Sequence, residues 1–579
     1  MIIDLHLAIR SIALLLATSA AMLVSANAMA QPNAAANSPD SDPVFNSWKA
    51  HSDVADCGRC HYQASGFGTP DQSFSRQDEL QFWLANDKHA IARRRVEPLT
   101  TADILEEAQA LQTRLGINSI PKDWFGLSNA LSYRICEKLG YDVKTPTGYA
   151  AFQDNCLTCH GGYQGDGDNA NFAKSKDGGK EQPGISCNYC HQIGDKTTWV
   201  NQHGGVDAAT AWRNLPPNQK AAAGMQDLVN VGTQAANCYD CHIGNRDKNM
   251  FVTHVMYAAG HPPLPGIELQ TFCESMPRHW RTESELYDSL KEAGFGGRDE
   301  YYKVNFPKVT DSATPDEVFW NTRKILVGAI AARLQAAELI ADSANNARWA
   351  DYSLYDCAAC HHELREPSAR QERGYAAAPG RPRLHEWPNA ILSTSLDLAV
   401  GPSGPMRESI DATEAKLAVA LSQSPFGEPN IVGSIATEQT ALLRNAMKLA
   451  QSKPISANGA RLIIKLLASP PKNGSLQDKL VVYDSARQVV WAIQAVAAEL
   501  EAMGEPLPPA LAAKITSLGD PAISGLDPIL PAGRQVFIYP EKLNEDLERR
   551  ATYSPEKLAA LLAEIATDIA KPQAPRGNG

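Results

Sequence analysis

The chain has 579 residues, with 65 acidic against 54 basic side chains and a formal charge of −11. That balance argues against a nucleic-acid partner and suits a basic protein partner. Past residue 30 no apolar run is long enough to span a bilayer, so the mature protein is expected to be soluble or peripheral to a membrane.

The first thirty residues read as an export signal. Arg10 precedes an apolar run from Ser11 to Val24, and Ala28-Met29-Ala30 gives a small-x-small cleavage pattern before Gln31. There is no twin Arg and no Cys near the cleavage point, which favours the general secretory route and a periplasmic destination. Asp4 and Arg10 cancel, so the mature chain keeps its charge of −11. Residues 31–46, rich in Ala, Asn, Ser and Pro, read as a disordered mature N-terminus.

Residues 47–370 carry five copies of Cys-x-x-Cys-His: Cys57, Cys60 and His61; Cys156, Cys159 and His160; Cys187, Cys190 and His191; Cys238, Cys241 and His242; Cys357, Cys360 and His361. Two thiols at this spacing add to the two vinyl groups on one edge of a porphyrin, and the following His offers its imidazole to the iron. Zinc ribbons combine such dithiols in pairs and have no use for the fixed His, and a redox dithiol needs none either. The expectation is therefore five covalent haem c groups, each with its proximal ligand. Attached propionates would make the protein more acidic still. Loops such as 161–184 suit a domain whose core is filled by cofactor. Asp166-Gly-Asp168 begins like a calcium loop but lacks the remaining ligands. Ten of the twelve Cys belong to the motifs; Cys136 and Cys273 remain, as a disulfide or as buried thiols.

The fold class expected is mainly α: a loop-rich multihaem domain followed by a helical bundle-like domain. Thr314-Pro315-Asp316-Glu317 is a capping box for a helix carrying Phe319, Leu326, Ile330, Leu334 and Ala337, expected to end before Asn345. Residues 371–400 form a Pro- and Gly-rich connection. Residues 401–571 read as helices without cofactor: segments near 408–423, 436–452 and 459–468, then Val489, Ile493, Val496, Leu500 and Met503 before Gly504, and Leu558, Leu562, Ile565 and Ile569 after Ser554-Pro555. Residues 572–579 read as a disordered tail.

Function turns on the second axial ligand of each iron. His89, His203, His254, His261 and His51 are the candidate distal ligands, with His279 a weaker one that doubles as a catalytic acid or base beside Arg278. Seven residues of helix span about 10 Å, so His254 and His261 cannot serve one iron and suit two neighbouring ones. His362, which points away from the ring faced by His361, and His385 are not expected to ligate. Met250, Met256 and Met276 are alternatives, but thioethers bind less strongly.

Several local patterns resemble the multihaem cytochrome c-554 family. Trp83 followed by His89-Ala90-Ile91-Ala92, Asn155-Cys156 to His160-Gly161-Gly162, and Gly184-Ile185-Ser186-Cys187 to His191 with a later His203 are similar to its first three haem motifs. The similarity covers about residues 48–365. It implies distal ligation by His89 and His203, closely packed haem pairs and electron transfer. The fifth motif, the long insertion between the first two, Gln192 and the helices after 400 depart from the family pattern. The first expectation is thus a periplasmic electron carrier exchanging electrons with other redox proteins. An oxidoreductase with one five-coordinate haem acting on a nitrogen or sulfur compound is the alternative, and a cytochrome subunit of a larger redox complex is a third reading.

Overall fold

The computed structural model describes Cys57, His61, 78–115, 118, 127–161, 184–203 without 195 and 197, 211–280, 304–305, 319–372 without 347 and 363, 381–471, 475–528 and 548–571 without 551. The leader, the segment 31–46, His51, Cys60, the Asp166–Asp168 loop, the 314–317 capping box and the tail 572–579 lie outside the described residues. The described residues all fall in the compact unit Ser47–Gly579. They are mainly helical, with isolated β-bridges at Gln192–Met225, Asn245–Met250 and Tyr355–Leu384.

One long helix, Trp320–Asn345, organises the molecule. It is rich in Ala and Leu, carries no internal Pro, and is buried on most of its circumference, as befits a helix surrounded by others. It runs through Asn345, where the expected end lay just before that residue. Its first turn is closed from a distance: Glu499 accepts hydrogen bonds from the Asn321 and Thr322 N–H groups at 2.7 and 2.8 Å and from the Thr322 hydroxyl at 2.6 Å. A carboxylate there meets otherwise orphaned donors and the positive end of the helix dipole.

The helices after residue 400 follow the apolar spacing in the sequence. Pro405–Gln423, Pro429–Ser452, Ala457–Leu467, Tyr483–Ala502 and Pro555–Ile569 occupy the expected segments. Ser456 and Ser554 cap two of them through their hydroxyls, and Gly504, at φ +71°, follows Tyr483–Ala502 as a left-handed stop. Their apolar faces share a core with the start of the long helix: Phe319, Ile325 and Leu326 pack with Ile463, Val489, Ile493, Leu558 and Leu562. Each such fully buried aliphatic side chain contributes about 1.5–3 kcal/mol of transfer free energy. On the other side of the long helix, Val327, Ile330 and Leu334 pack with Tyr239, Leu269 and Cys273 from the motif-bearing part. The helix is therefore a shared wall, and Arg333 ties it to Glu414 at 2.7 Å and Gln439 at 2.6 Å.

Candidate functional site

The Cys-x-x-Cys-His motifs sit in short, tightly wound segments. Cys187–His191 is a single helical turn after Ser186, and Cys238 ends the helix Val231–Tyr239, after which Asp240–Gly244 widens into a π-type turn. The second motif spans a similar wide turn, Gln153–Leu157, and the helical turn Thr158–His160. The fifth is a 3-10 turn, Cys357–Ala359, begun by Asp356, whose side chain accepts the Ala358 N–H. Wide turns of this kind recur at functional sites because they turn successive side chains out of the regular helical row.

Every motif imidazole faces a second imidazole. His61 lies 6.2 Å from His203 between ring centres, His160 6.4 Å from His261, His191 6.3 Å from His279, His242 6.4 Å from His89, and His361 6.3 Å from His254. Two imidazoles on opposite sides of one metal, each with a metal–nitrogen bond of about 2.0 Å, have ring centres about 6 Å apart. The five separations fit that requirement. The planes of the first and fifth pairs are near parallel, at 19° and 28°, whereas the His191–His279 and His242–His89 planes cross at 75° and 74°.

Hydrogen bonds made by Nδ1 orient several of these rings and leave Nε2 for a metal, the arrangement that fixes tautomer and direction in metal-ligating His. His203 donates to the Trp199 carbonyl at 2.9 Å and His261 to the Pro262 carbonyl at 2.7 Å. His61 is 2.9 Å from Glu79 Oε2, and His89 is 2.8 Å from Asp87 Oδ1. Aromatic walls complete the positioning: Trp199 stacks on His203 at 4.9 Å, Tyr352 meets His254 edge-on at 5.5 Å, and Phe272 meets His242 at 5.9 Å.

Burial governs protonation. His160, His191 and His242 lie deep in the fold; lost solvation, with neighbouring imidazoles adding to it, pushes their pKa down to about 4, about 4 and about 3. They are neutral at neutral pH, the form that binds a metal. Burial is the largest influence on His61 and opposes its charge, but the hydrogen bond to Glu79 and the charges of Glu79 and Cys57 together outweigh it and raise the pKa.

The second cysteines of three motifs converge. Cys159, Cys190 and Cys241 pack against one buried cluster of Ile185, Tyr189 and Met250, and the Tyr189 hydroxyl donates to Met250 Sδ at 3.2 Å. Met250 is thereby engaged away from the His pairs. The attachment edges at motifs two, three and four are close neighbours, while Cys357, Cys360 and His361 are exposed. Cys136 packs beside Cys156, and Cys273 in a different cluster with Cys238, so no disulfide joins Cys136 to Cys273.

Of the candidate distal residues, His89, His203, His254, His261 and His279 each face a motif His, and His51 lies outside the described residues. His362 is exposed, and His385 Nε2 is 3.0 Å from the Ser353 carbonyl. The carboxylates Asp87 and Glu79 behind His89 and His61 were not singled out from the sequence. The proximity of Asp87 to His89, with one residue between, was the available signal for the first; nothing local marked the second.

Residues 186–260 match the family model described as cytochrome c554 and c-prime. That segment holds the third and fourth motifs together with His203 and His254. No curated protein and no solved structure matches the chain. The chain is a c-type cytochrome resembling this family, with covalently bound haem c and a part in electron transfer between redox partners. Among the described residues no helix is long and apolar enough to cross a membrane.

Proposed function

We propose that this c-type cytochrome is a periplasmic pentahaem electron carrier in which each haem is held by one Cys-x-x-Cys-His motif and closed by a second His. The observation that carries the reading is the set of five imidazole pairs, all with ring centres 6.2–6.4 Å apart. The paired residues are His61 with His203, His160 with His261, His191 with His279, His242 with His89, and His361 with His254. Haem, when bound, would supply a reversible one-electron couple.

The chain's own residues do the rest. The cysteines fix each ring edge, and the convergence of Cys159, Cys190 and Cys241 brings three attachment edges together around Tyr189 and Met250. Imidazoles from both sides would hold each iron, four of them oriented through Nδ1, and aromatic side chains stand beside His203, His242 and His254. The helix His254–Ala259 and the residue that follows its Gly260 stop carry ligands for two different sites, so the fifth site is joined to the second by a few residues of rigid backbone. The exposed fifth motif is a natural point of exchange with a partner protein. Pairing of His279 with His191 supports the carrier over the oxidoreductase, because the residue proposed as acid or base then has a ligand role.

Reductive titration of the purified holoprotein tests the reading. A carrier takes up five electrons per chain and returns them to an oxidised acceptor protein, with no turnover of nitrite, hydroxylamine or tetrathionate. Turnover of any of these at the rate of electron uptake would replace it with the oxidoreductase.

A further inference from the structure

His89 is held by a buried charge. Asp87 begins the short turn Lys88–Ile91 by accepting the His89 backbone N–H at 2.8 Å, and the same oxygen lies 2.8 Å from His89 Nδ1. The Asp87 side chain is 1% exposed, and its second oxygen is buried without a hydrogen-bond donor. Both of its hydrogen bonds go to His89, one to the backbone N–H and one to the ring, with Lys88 and His279 the other charge-bearing groups that feel it. The contrast lies within the molecule: His203 and His261 give Nδ1–H to neutral carbonyls, and Glu79 behind His61 is 17% exposed and better screened.

We propose that Asp87 is a redox-positioning residue that fixes the Nδ1–H tautomer of His89 and lowers the reduction potential of the haem held between His242 and His89. The inference rests on the ligand pairing proposed above. An imidazole that donates to a carboxylate is a stronger electron donor through its other nitrogen, and an unscreened negative charge beside it favours the oxidised, more positive state of the site. Both effects have the same sign. Glu79 acts in the same sense on the His61–His203 site, more weakly because water reaches it. The two carboxylate-backed sites are then the two lowest potentials of the chain.

The test is potentiometry of the five-haem protein followed by electron paramagnetic resonance and visible absorption. His89→Met first identifies the signal of the His89 site; if no low-spin signal changes, the ligand pairing itself fails and this proposal falls with it. Asp87→Asn keeps a hydrogen-bond acceptor and removes the charge. One potential, that of the signal identified with His89→Met, is expected to rise while the other four hold, and Glu79→Gln is expected to raise a different one by less. An unchanged set of potentials in Asp87→Asn, or an equal rise of all five, would overturn the proposal. Should Asp87→Asn load fewer than five haems, the wild-type ranking decides: the His89 signal must be one of the two lowest in potential, and a place among the upper three contradicts the assignment.

Discussion

His254 and His261 stand at the two ends of one short helical segment yet face imidazoles of different motifs, His361 at 6.3 Å and His160 at 6.4 Å. Gly260, at φ +118°, ends the helix between them and lets the chain swing His261 away from the helix axis, a backbone conformation that side-chain-bearing residues rarely adopt. Each His is thus expected to control one haem independently. His254→Ala should convert the fifth haem alone to a high-spin, carbon monoxide-binding form, and His261→Ala the second alone. Absorption and carbon monoxide titration of both variants read this directly: one haem in five affected in each single variant, two in the double.

Phe426, between the helices Pro405–Gln423 and Pro429–Ser452, reaches the fifth site. Phe426 stacks on Tyr352 at 5.0 Å, and Tyr352 packs edge-on against His254. Trp349 donates to the Phe426 carbonyl at 2.9 Å and brings the same loop against the turn that precedes motif five. Phe426→Ala is expected to cost about 2 kcal/mol, because the ring is partly buried and its aromatic contacts are lost. It should also broaden or shift the signal of the fifth haem, with Phe426→Tyr retaining the wild-type spectrum. Thermal unfolding and electron paramagnetic resonance of the two variants check it.

Gly184 lies where a side chain has no room. A Cβ there would come within 2.1 Å of the His89 carbonyl oxygen and 2.5 Å of the Ala90 carbonyl carbon, and the adjacent Ile185 N–H donates to His89 O at 2.9 Å. The segment leading into the third motif is therefore packed directly on the turn that carries His89, which faces His242 of the fourth. Gly184→Ala must push the two apart and is expected to destabilise by about 1–3 kcal/mol. Haem content by intact mass, with spin state, should show the third and fourth sites perturbed together and the fifth untouched.

Glu499 links pH to the stability of the central helix. Its burial outweighs its hydrogen bonds to Thr322 and Asn321 and raises its carboxyl pKa above the ordinary value. The folded state then holds the proton more tightly than the unfolded one. The stabilisation from this group is full below the ordinary carboxylate pKa and is lost as pH rises through the raised one. Both Glu499→Gln and Glu499→Ala remove that slope, and Glu499→Ala, which also strips three donors of their acceptor, should cost about 1–3 kcal/mol at low pH, where the wild-type contribution is full. Denaturant unfolding at several pH values distinguishes the two.

The covalent half of each site was legible because it is local: thiols and imidazole within five residues carry the attachment chemistry in their spacing. Helices after 400 were legible for a similar reason, since apolar residues at three- and four-residue intervals, as in Val489, Ile493, Val496 and Leu500, suit one buried face. The closure of each site is not local. His203 returns to the first motif and His89 waits for the fourth, and nothing near either residue states its partner. His279 ranked low because Met276-Pro277-Arg278-His279 has no ligand-like pattern, yet it lies across from His191. The long helix was legible from its apolar spacing, whereas its burial by the C-terminal helices depends on contacts that periodicity cannot assign.

The central claim is that every motif His has a His across from it at a distance set by an iron. Spin quantitation by electron paramagnetic resonance on the oxidised mature holoprotein tests it most directly, with intact mass giving the haem count on the same sample. The account predicts five covalent haems and low-spin signals only, with the near-parallel pairs His61–His203 and His254–His361 distinct from the crossed pairs His191–His279 and His242–His89. A high-spin signal amounting to one haem, or an intact mass with fewer than five, would contradict it.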